Sequence, residues 1–354
     1  MKALVLSGGR GTRLRPITHT RAKQLIPVAN QPVLFYGLKA IAEAGIKKVG
    51  IVVGDTQEEI RQAVGDGKKF GLKVSYIYQA EPLGLAHAVL ISKKFLGSEP
   101  FVMYLGDNLL KSGVKKLVEQ FQKEKANCRI LLARVKNPGQ FGVAELKGNK
   151  VIRLIEKPKK PKSDLALVGV YIFDKNIHQA VRAIRPSARG ELEITDAIQR
   201  LIDSGKDVRW QVVDGWWKDT GKVEDLLEAN RMILDGLPEK IEGKVDSESK
   251  IEFKVQIEKG AMIKRSKIRG PVIIGSGTLI EDSYLGPFTS ISENCRIRSS
   301  EIEHSIVMAE SRIENLPQRL SDSLIGKNSI IQCSRQKPGA FRLIIGDSSE
   351  VDLV

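Results

Sequence analysis

The N-terminus holds the residues whose types and spacing most clearly favour chemistry. Glycines occupy positions 8, 9 and 11, and Arg10 and Arg13 lie among and after them. Glycine lets backbone N–H groups approach an anion closely, and guanidinium groups supply charge in a fixed fork geometry. The Gly-Gly-x-Gly spacing fits neither the dinucleotide fingerprint nor the Walker loop. It predicts an anion site of another kind, with a simple glycine turn after a first strand as the alternative.

A second motif, Lys23-Gln24-Leu25-Ile26-Pro27, begins ten residues after Arg13. The combined pattern G-G-x-G-T-R-L-x-P-x-T…K-x-L-x-P resembles the sugar-1-phosphate nucleotidylyltransferases. Within that family, Gln24 after the lysine is similar to the glucose-1-phosphate thymidylyltransferase branch, because the adenylyl and guanylyl branches more often carry proline there. The resemblance implies that a phosphate oxygen of glucose-1-phosphate attacks the α-phosphorus of dTTP and that pyrophosphate leaves.

The resemblance also implies roles for the residues at the motif positions. The residues expected to carry catalysis are Arg13, Lys23 and Lys157. The expected nucleotide-binding residues are Leu6, Gly8, Gly9, Gly11, Thr12, Arg13, Gln24, Gln79, Pro82, Gly84 and Asp107. The expected sugar-phosphate-binding residues are Gly142, Glu156, Lys157, Gly169, Tyr171 and Arg189.

Two aspartates are candidates for metal binding. Asp107 follows the apolar run 101–105, and Asp219 follows the Trp216-Trp217-Lys218 run. A carboxylate just past a buried strand is exposed at the edge of the sheet, where it can hold Mg²⁺ through one or two oxygens. A helix-capping role is the alternative for Asp107. The resemblance implies that both residues bind the catalytic Mg²⁺.

Three further motifs concern substrate recognition. The Glu156-Lys157-Pro158 run places a lysine after apolar strand residues, where few competing waters would strengthen its action on a phosphate; an exposed edge lysine is the alternative. The Gln79 carboxamide matches the N3–H and O4 edge shared by uracil and thymine, so UTP remains an alternative substrate. Gly84 is expected to let the backbone approach the base. Arg189 is expected to bind phosphate or to order its loop.

Composition bounds the class of protein. The chain has 354 residues and a net charge of +15, and its three cysteines form no C-x-x-C pair. The length favours two domains, and the cysteine usage favours a reducing, cytoplasmic location. We see no secretory leader and no apolar run of membrane-spanning length. Because the lysines are scattered, the charge favours phosphate-bearing substrates over nucleic acid or a membrane surface.

The order of elements predicts an α/β first domain over residues 1–238. Strands at 2–6, 48–53, 72–78 and 100–105 alternate with helices at 32–44, 56–64 and 85–94. This order predicts a doubly wound, mostly parallel, Rossmann-like sheet with ligands at the carboxyl ends of its strands. Strand-like runs between residues 128 and 173 predict a mixed-direction insertion that covers the site.

Residues 239–354 follow a different pattern. Isoleucines recur every six residues at 251, 257 and 263, and aliphatic residues recur every seventeen at 263, 280 and 297 and at 268, 285 and 302. This spacing predicts a left-handed parallel β-helix of hexapeptide repeats that resumes after a loop near 315–320, with a β-sandwich as the alternative. The segment 323–331 echoes 283–291, and this echo is the basis for expecting the repeat to resume after the loop.

The expected role of the β-helix is assembly into a homo-oligomer. A chain that ends at Pro238 would then keep its chemistry, because every assigned residue lies at or before Asp219. Two alternatives remain open. The chain could be a regulatory subunit that binds without turnover, although its motifs are intact. It could also be bifunctional, with His304 serving acyl transfer in the β-helix.

Overall fold

The computed structural model describes residues 1–333 and 342–352. The chain divides into two compact units, and neither is a single continuous stretch of sequence. The first comprises Met1–Arg10, Arg21–Leu25 and Val33–Asp219, and the second comprises Gly11–Thr20, Ile26–Pro32 and Thr220–Val354. The N-terminal motifs, which we call the signature segment (residues 8–32), are therefore divided between the units. No feature of the sequence indicates this division.

The first unit is built on a mixed sheet. Its strands are β1 Lys2–Ser7, β2 Lys48–Val53, β3 Lys73–Tyr78, β4 Phe101–Leu105, β5 Cys128–Arg134, β6 Gly142–Lys147, β7 Lys150–Glu156, β8 Leu165–Phe173 and β9 Val208–Val212. They lie in the order β7-β6-β8-β4-β1-β2-β3, while β5 pairs with β8 and β9. Strands β1 to β4 are mutually parallel, and β8 runs antiparallel to β4. The prediction of a mostly parallel sheet followed by mixed strands is confirmed.

Helices of the first unit pack against both faces of this sheet. They are α1 Val33–Glu43, α2 Gln57–Val64, α3 Leu85–Ile91, α4 Lys93–Leu96, α5 Lys115–Glu124, α6 Ile177–Ala183 and α7 Ile194–Asp203, whereas α8 Val223–Asp235 belongs to the second unit. The central strand β1 is buried from Ala3 to Ser7, which explains its continuous apolar run. Side chains from its two faces enter two separate apolar clusters, one with Ala3 and Val5 and one with Leu4 and Leu6. Helices α5 and α6 were not predicted.

The second unit contains a left-handed parallel β-helix, as predicted. Face 1 of this coil comprises the strands Lys240–Ile241, Val255–Ile257, Val272–Ile274, Thr289–Ile291, Ile306–Val307 and Leu324–Ile325. Face 2 comprises Lys244–Val245, Met262–Lys264, Leu279–Glu281, Arg296–Arg298, Arg312–Glu314 and Ile330–Gln332. Face 3 comprises Lys250–Glu252, Lys267–Arg269, Tyr284–Leu285 and Glu301–Ile302.

The seventeen-residue spacing is the repeat length of the coil. Ile280 pairs with Ile263 on one side and with Ile297 on the other. Leu285 is likewise flanked by Ile268 and Ile302. These side chains form one buried apolar column, because each hexad contributes an inward aliphatic residue.

The repeat resumes after the loop, as predicted, although segment 323–331 lies one face away from its counterpart 283–291. Leu324 pairs with Ile306 on face 1, whereas Tyr284 belongs to face 3. The position on face 3 is taken instead by Leu320, which bridges to Ile302 after the loop. The loop before Leu320 adds residues outside the repeat, so the strands that follow it fall on a different face from the one that the sequence echo suggests.

Residues 342–352 share the corner geometry of the coil. The Ser349 N–H donates to the Gly346 carbonyl at 3.4 Å, as the Thr278 N–H donates to Gly275 at 3.4 Å. Ser348 has φ 64°, close to the φ of 69° at Gly277. Ile344 in this segment is 87% exposed.

Candidate active site

The carboxyl ends of parallel strands bring three predicted residues to one edge of the sheet. Gly8 follows β1, Gln79 follows β3 and Asp107 follows β4 by one glycine. Because β1 to β4 are parallel, their carboxyl ends meet at the same edge. Residues far apart in sequence are in this way assembled into one site.

An ion pair between Lys23 and Asp107 lies at the centre of this edge. The lysine side chain is 16% exposed and the aspartate side chain 13%. Burial alone would raise the pKa of Asp107, but the Lys23 charge and the hydrogen bonds from Lys23 and Asn108 lower it overall. The Lys23 stem passes over Gly9, where a Cβ atom would lie 3.2 Å from Lys23 Cε. Gly9 therefore makes room for the lysine.

Asn108 is a buried hub that sequence reasoning missed. Its Nδ2 donates to Asp107 Oδ1 at 3.0 Å, and its Oδ1 accepts hydrogen bonds from the Gly169 N–H and the Trp217 indole N–H. Its backbone carbonyl accepts the Tyr104 hydroxyl at 3.0 Å. A fully bonded, 2% exposed amide beside the carboxylate fixes the orientation of Asp107. The only signal in the sequence is an amide next to a strand-end aspartate.

Asp219 lies beside this hub. The strand Trp217–Asp219 runs antiparallel to Asn108–Leu110, and Asp219 is opposite Asn108 in the register. Asp107 immediately precedes Asn108, so the two predicted aspartates lie at the same end of this short ladder. In the described part of the chain, no group of three His, Cys, Asp or Glu side chains is arranged to hold a metal. Two carboxylates fit Mg²⁺, which binds proteins through one or two carboxylates and takes its other ligands from phosphate and water.

The Gln79 carboxamide lies against the glycine loop. A Cβ atom on Gly8 would lie 3.5 Å from Gln79 Oε1. Gln79 Nε2 lies 2.9 Å from His87 Nδ1 and donates to the Gly84 carbonyl at 3.4 Å. His87 is thus a second residue that sequence reasoning missed, and it orients the carboxamide expected to read the base.

Gly84 is required for close packing against a neighbouring loop, while its approach to the base stays a prediction. It has φ +100°, and a Cβ atom there would lie 2.5 Å from the Leu192 carbonyl oxygen. The Ala86 N–H donates to the same carbonyl at 3.0 Å, and the Leu192 N–H donates to Leu83 at 2.8 Å. The close approach at Gly84 is therefore to the backbone of the 187–193 loop.

Arg189 orders that same loop. Its Nε donates to Glu193 Oε1 at 3.2 Å, and its Nη2 donates to Glu191 Oε2 at 2.8 Å. The Ser187 hydroxyl also donates to Glu193 Oε1 at 2.8 Å. Of the two roles predicted for Arg189, these contacts favour the ordering of the loop. Glu191 is the ion-pair partner of Arg189.

Glu156 lies in a cavity of about 530 Å³. The cavity is also lined by Glu193 and Asp196, and the Thr195 hydroxyl donates to Glu156 Oε2 at 3.3 Å. Gly142 is opposite Glu156 in the sheet, and a Cβ atom there would lie 2.7 Å from Thr195 Cγ2. Burial and then the charge of Glu193 raise the pKa of Glu156. The cavity is thus acidic and suited to hydroxyl-bearing ligands.

Lys157 differs from its predicted setting. It lies one residue beyond β7 in the left-handed region, with φ 40°, and its side chain is 46% exposed. The Lys157 side chain is therefore more exposed to water than its apolar neighbours suggest. The prediction that few waters compete for it is wrong for the described structure. Its N–H donates to the Phe141 carbonyl at 3.0 Å. A non-glycine residue in this conformation at a ligand-binding edge is a strained position of the kind found at functional sites.

Gly11, Thr12 and Arg13 belong to the second unit. Gly11 has φ 63° and precedes a short 3-10 helix, Thr12–Leu14. The Thr18 hydroxyl donates to the Gly11 carbonyl at 2.7 Å. Arg13 packs over Gly221, where a Cβ atom would lie 2.7 Å from Arg13 Nη2. The Arg13 side chain is exposed, and Gly221 packs against its guanidinium.

Comparison with known proteins agrees with this geometry. The sequence profile of the nucleotidyl transferase family matches residues 2–236. The chain belongs to the nucleotidyl transferase family. It is 57% identical to a glucose-1-phosphate thymidylyltransferase of Streptomyces antibioticus, over 100% of this chain and 99% of the relative. It is 46% identical to the low-salt glycan biosynthesis nucleotidyltransferase Agl11 of Haloferax volcanii, over 100% of both chains.

Among solved structures, one from Bacillus anthracis, titled provisionally as a glucose-1-phosphate thymidylyltransferase in complex with a sucrose, aligns with a TM-score of 0.62. It is 34% identical and covers 66% of this chain and 94% of that chain. In this member of the nucleotidyl transferase family, the described part of the chain has no helix with the length and apolar character needed to cross a membrane.

Several of the remaining predicted residues have packing roles in this nucleotidyl transferase. Leu6 is a core residue whose carbonyl accepts the Gly106 N–H at 2.9 Å. Tyr171 is 4% exposed and stacks with Phe173 at 5.9 Å, a placement that favours packing over contact with a sugar. At Gly169 a Cβ atom would lie 2.7 Å from Asn108 Oδ1.

The other two predicted residues, Gln24 and Pro82, lie at opposite extremes of exposure. Gln24 is 1% exposed, and its Oε1 has no hydrogen-bond partner among the described residues. Pro82 is exposed in the loop before Gly84.

His304, considered for acyl transfer, lies at a corner of the coil. It has φ 44°, and its Nδ1 contacts the Asp322 carboxylate. The hydrogen bonds from His304 and Ser321 lower the pKa of Asp322. This pairing gives the imidazole a structural contact and does not by itself favour a second activity.

We predict that Glu156→Gln stabilises the protein at neutral pH while it impairs sugar binding. Because the pKa of Glu156 is raised on folding, the folded state binds its proton more tightly than the unfolded state. Stability is therefore lost as pH rises from the ordinary carboxyl pKa through the raised value, and the amide removes this loss. Thermal midpoints measured from pH 4 to 8 test it, at roughly 2–4 °C per kcal/mol.

The matched control is Glu119→Gln, at an exposed position on α5. If Glu156→Gln lowers the midpoint at pH 7, or leaves the pH profile identical to that of wild type, the electrostatic account of the cavity is wrong.

Proposed function

We propose that the protein is a glucose-1-phosphate thymidylyltransferase, which transfers the deoxythymidylyl group of dTTP to glucose-1-phosphate and releases pyrophosphate. The observation that carries this proposal is the strand-edge cluster in which Lys23 and Asp107 lie beside the glycine loop, with Asp219 opposite Asn108, the residue after Asp107. The 57% identity over the full chain to a relative of that name supports the choice of substrates.

The reaction needs no covalent enzyme intermediate. An oxygen of the sugar phosphate attacks the α-phosphorus in line, and the bond to the pyrophosphate oxygen breaks. A phosphate oxygen is already an adequate nucleophile, so no general base is required. Catalysis then consists of positioning and of neutralising the charge on the phosphates.

We assign a separate role in this reaction to each group of site residues. Arg13 and the N–H groups at Gly8, Gly9 and Gly11 bind the triphosphate, with Lys23 beside it. Lys157 binds the attacking phosphate of the sugar. Asp107 and Asp219 are the residues that would hold Mg²⁺, whose charge, when it is bound, offsets that of the phosphate oxygens.

Recognition of the two substrates is assigned to separate groups. Gln79, held by His87, would read the pyrimidine edge. Glu156, with Gly142 opposite, would bind sugar hydroxyls in the acidic cavity. Because the edge read by Gln79 is the same in uracil and thymine, the 5-methyl and sugar 2′ positions decide between dTTP and UTP. The same reaction with UTP, or with another sugar-1-phosphate, is the second candidate.

We also propose a cytoplasmic location and a homo-oligomer with contacts from the β-helix. Cys128 and Cys295 are buried free thiols, and Cys333 is exposed, a usage that suits a reducing compartment. The regular faces of a β-helix suit assembly. Neither a nucleic acid nor a membrane is a proposed partner.

The test of the proposed function is pyrophosphate release, measured with dTTP, UTP, ATP and GTP against glucose-1-phosphate and several other sugar-1-phosphates. We expect dTTP with glucose-1-phosphate to give the highest kcat/KM. Equal or higher kcat/KM with UTP would reassign the nucleotide. Binding of the substrates without release of pyrophosphate from any pair would favour the regulatory-subunit alternative.

We predict that Asp219→Asn lowers kcat more than tenfold at millimolar Mg²⁺, because it removes one of two carboxylates from the proposed metal site. The variant keeps the side-chain shape, so its thermal midpoint should stay close to that of wild type. The control is Asp214→Asn, an exposed aspartate nearby that pairs with Lys116 at 3.3 Å. Retention of more than a tenth of wild-type kcat, a loss below ~1.4 kcal/mol, would rule out the metal role.

We predict that Lys157→Met raises the KM for glucose-1-phosphate far more than the KM for dTTP, because Lys157 is placed on the attacking phosphate alone. The exposure of Lys157 reduces the strength of the contact, so we expect a loss of about 1.5–3 kcal/mol in kcat/KM. The control is the exposed Lys159→Met. Equal rises in both KM values with kcat unchanged would contradict this role.

A further inference from the structure

A short hairpin follows the Lys23-Gln24-Leu25 run directly. Strand Pro27–Val28 pairs with Gln31–Pro32, and the turn residues Ala29 and Asn30 have φ 46° and φ 58°. Positive φ at both central residues defines a type I′ turn, which glycine and asparagine favour and alanine does not. A strained residue of this kind persists only where its surroundings fix it.

The turn is fixed by side chains and backbone far away in sequence. The Ala29 N–H donates to Asn230 Oδ1 at 2.8 Å. Asn30 Nδ2 donates to the Ile291 carbonyl at 2.7 Å, and the Ser292 hydroxyl donates to Asn30 Oδ1 at 3.2 Å. Asn230 belongs to α8, whereas Ile291 and Ser292 belong to the coil. The hairpin is thus bonded to both elements of its unit.

Asn230 links α8 to the hairpin and to the coil by hydrogen bonds. It is fully buried, its Oδ1 also accepts the Ser290 hydroxyl at 2.6 Å, and its Nδ2 donates to the Phe288 carbonyl at 2.9 Å. Around this amide lies a small apolar cluster of Ala29, Leu234 and Ile273. Ile273 lies between Val272 and Ile274, whose side chains enter the coil core, so its own side chain points outward to the hairpin.

Residues 11–20, which precede the Lys23 run, also contact the coil. A Cβ atom on Gly326, in the last rung of the coil, would lie 3.2 Å from Ile17 Cδ1. Residues 21–25, which carry Lys23, are thus covalently bracketed by two stretches that contact the coil, residues 11–20 and 26–32.

We propose that the β-helix positions the phosphate-binding part of the signature segment, and that Asn30 is the positioning residue through which it does so. Asn30 touches neither substrate in this account; it fixes the hairpin, and the hairpin fixes where the Lys23 run begins and ends. The inference rests on the proposed function, because it assigns Lys23 to the triphosphate.

This proposal departs from the expectation that a chain ending at Pro238 would keep its chemistry. That expectation depended on the sequence positions of the catalytic candidates, all of which lie at or before Asp219. Asn30 donates to the Ile291 carbonyl and accepts from the Ser292 hydroxyl, and these bonds connect the coil to the Lys23 run in a way that the sequence positions do not show.

The test uses the full chain and the variant Asn30→Gly. Glycine keeps the left-handed turn and removes both side-chain hydrogen bonds to the coil. The matched control is Asn328→Gly, an asparagine in the coil with φ 57°. We expect Asn30→Gly to lower kcat/KM for dTTP about tenfold while the KM for glucose-1-phosphate changes less than twofold. Asn328→Gly should leave both values unchanged.

A second measurement separates positioning from folding. Hydrogen exchange should quicken in residues 26–32 of Asn30→Gly, while the exchange of the main-sheet strands stays as in wild type. Ser292→Ala, made on the coil side, should lower kcat/KM for dTTP in the same direction, and adding it to Asn30→Gly should cause no further loss.

Three outcomes would overturn the proposal. The first is wild-type kcat/KM in Asn30→Gly with faster exchange in the hairpin, which would make the contact structural only. The second is an equal loss for both substrates, and the third is a full additional loss on adding Ser292→Ala. Failure of the wild-type protein to release pyrophosphate would instead refute the proposed function, and exchange in the hairpin would still report whether Asn30 anchors it.

Discussion

The ion pair between Lys23 and Asp107 is the interaction on which the catalytic edge depends. Both side chains are largely buried, and removing either partner of such a pair leaves an uncompensated charge that costs about 3–5 kcal/mol. The lysine is suited to a phosphate and the aspartate to a metal ion, and in the absence of ligands each neutralises the other. Under the proposed function, a bound magnesium–triphosphate complex would replace both partners at once, so the charges would stay compensated.

Such an exchange requires groups that keep their places when their partners leave. Asn108 holds Asp107 in place, because its side-chain amide and its backbone carbonyl are hydrogen-bonded to neighbouring groups. Gly9 supplies space for the lysine stem. The backbone of the loop at 187–193 holds the segment around Gly84 in place, and Arg189 in turn orders this loop. The edge is therefore rigid around a replaceable ion pair.

The sequence predicts those features that depend on local pattern. Buried parallel strands read as apolar runs, and the coil contributes one inward aliphatic residue per hexad, so both the sheet and the seventeen-residue repeat can be read directly. Contacts between distant residues leave no such pattern. The need for glycine at position 84 arises from Leu192, and the role of Asn108 arises from Gly169 and Trp217. The exposure of Lys157 follows from a backbone conformation that its apolar neighbours do not indicate.

The division of the signature segment between the units is the feature least visible in the sequence and the one with the widest consequence. The matched profile of the nucleotidyl transferase family ends at residue 236, so it includes Asn30 but not the coil residues that bind Asn30. A buried hydrogen bond contributes about 0.5–1.5 kcal/mol, and leaving its partner unsatisfied costs about 1–3 kcal/mol. The hydrogen bonds of Asn30 and of Asn230 join the hairpin to the coil at several points, and such networks act cooperatively. Under the proposal, a change in the coil that touches no substrate would affect turnover through the backbone of residues 26–32.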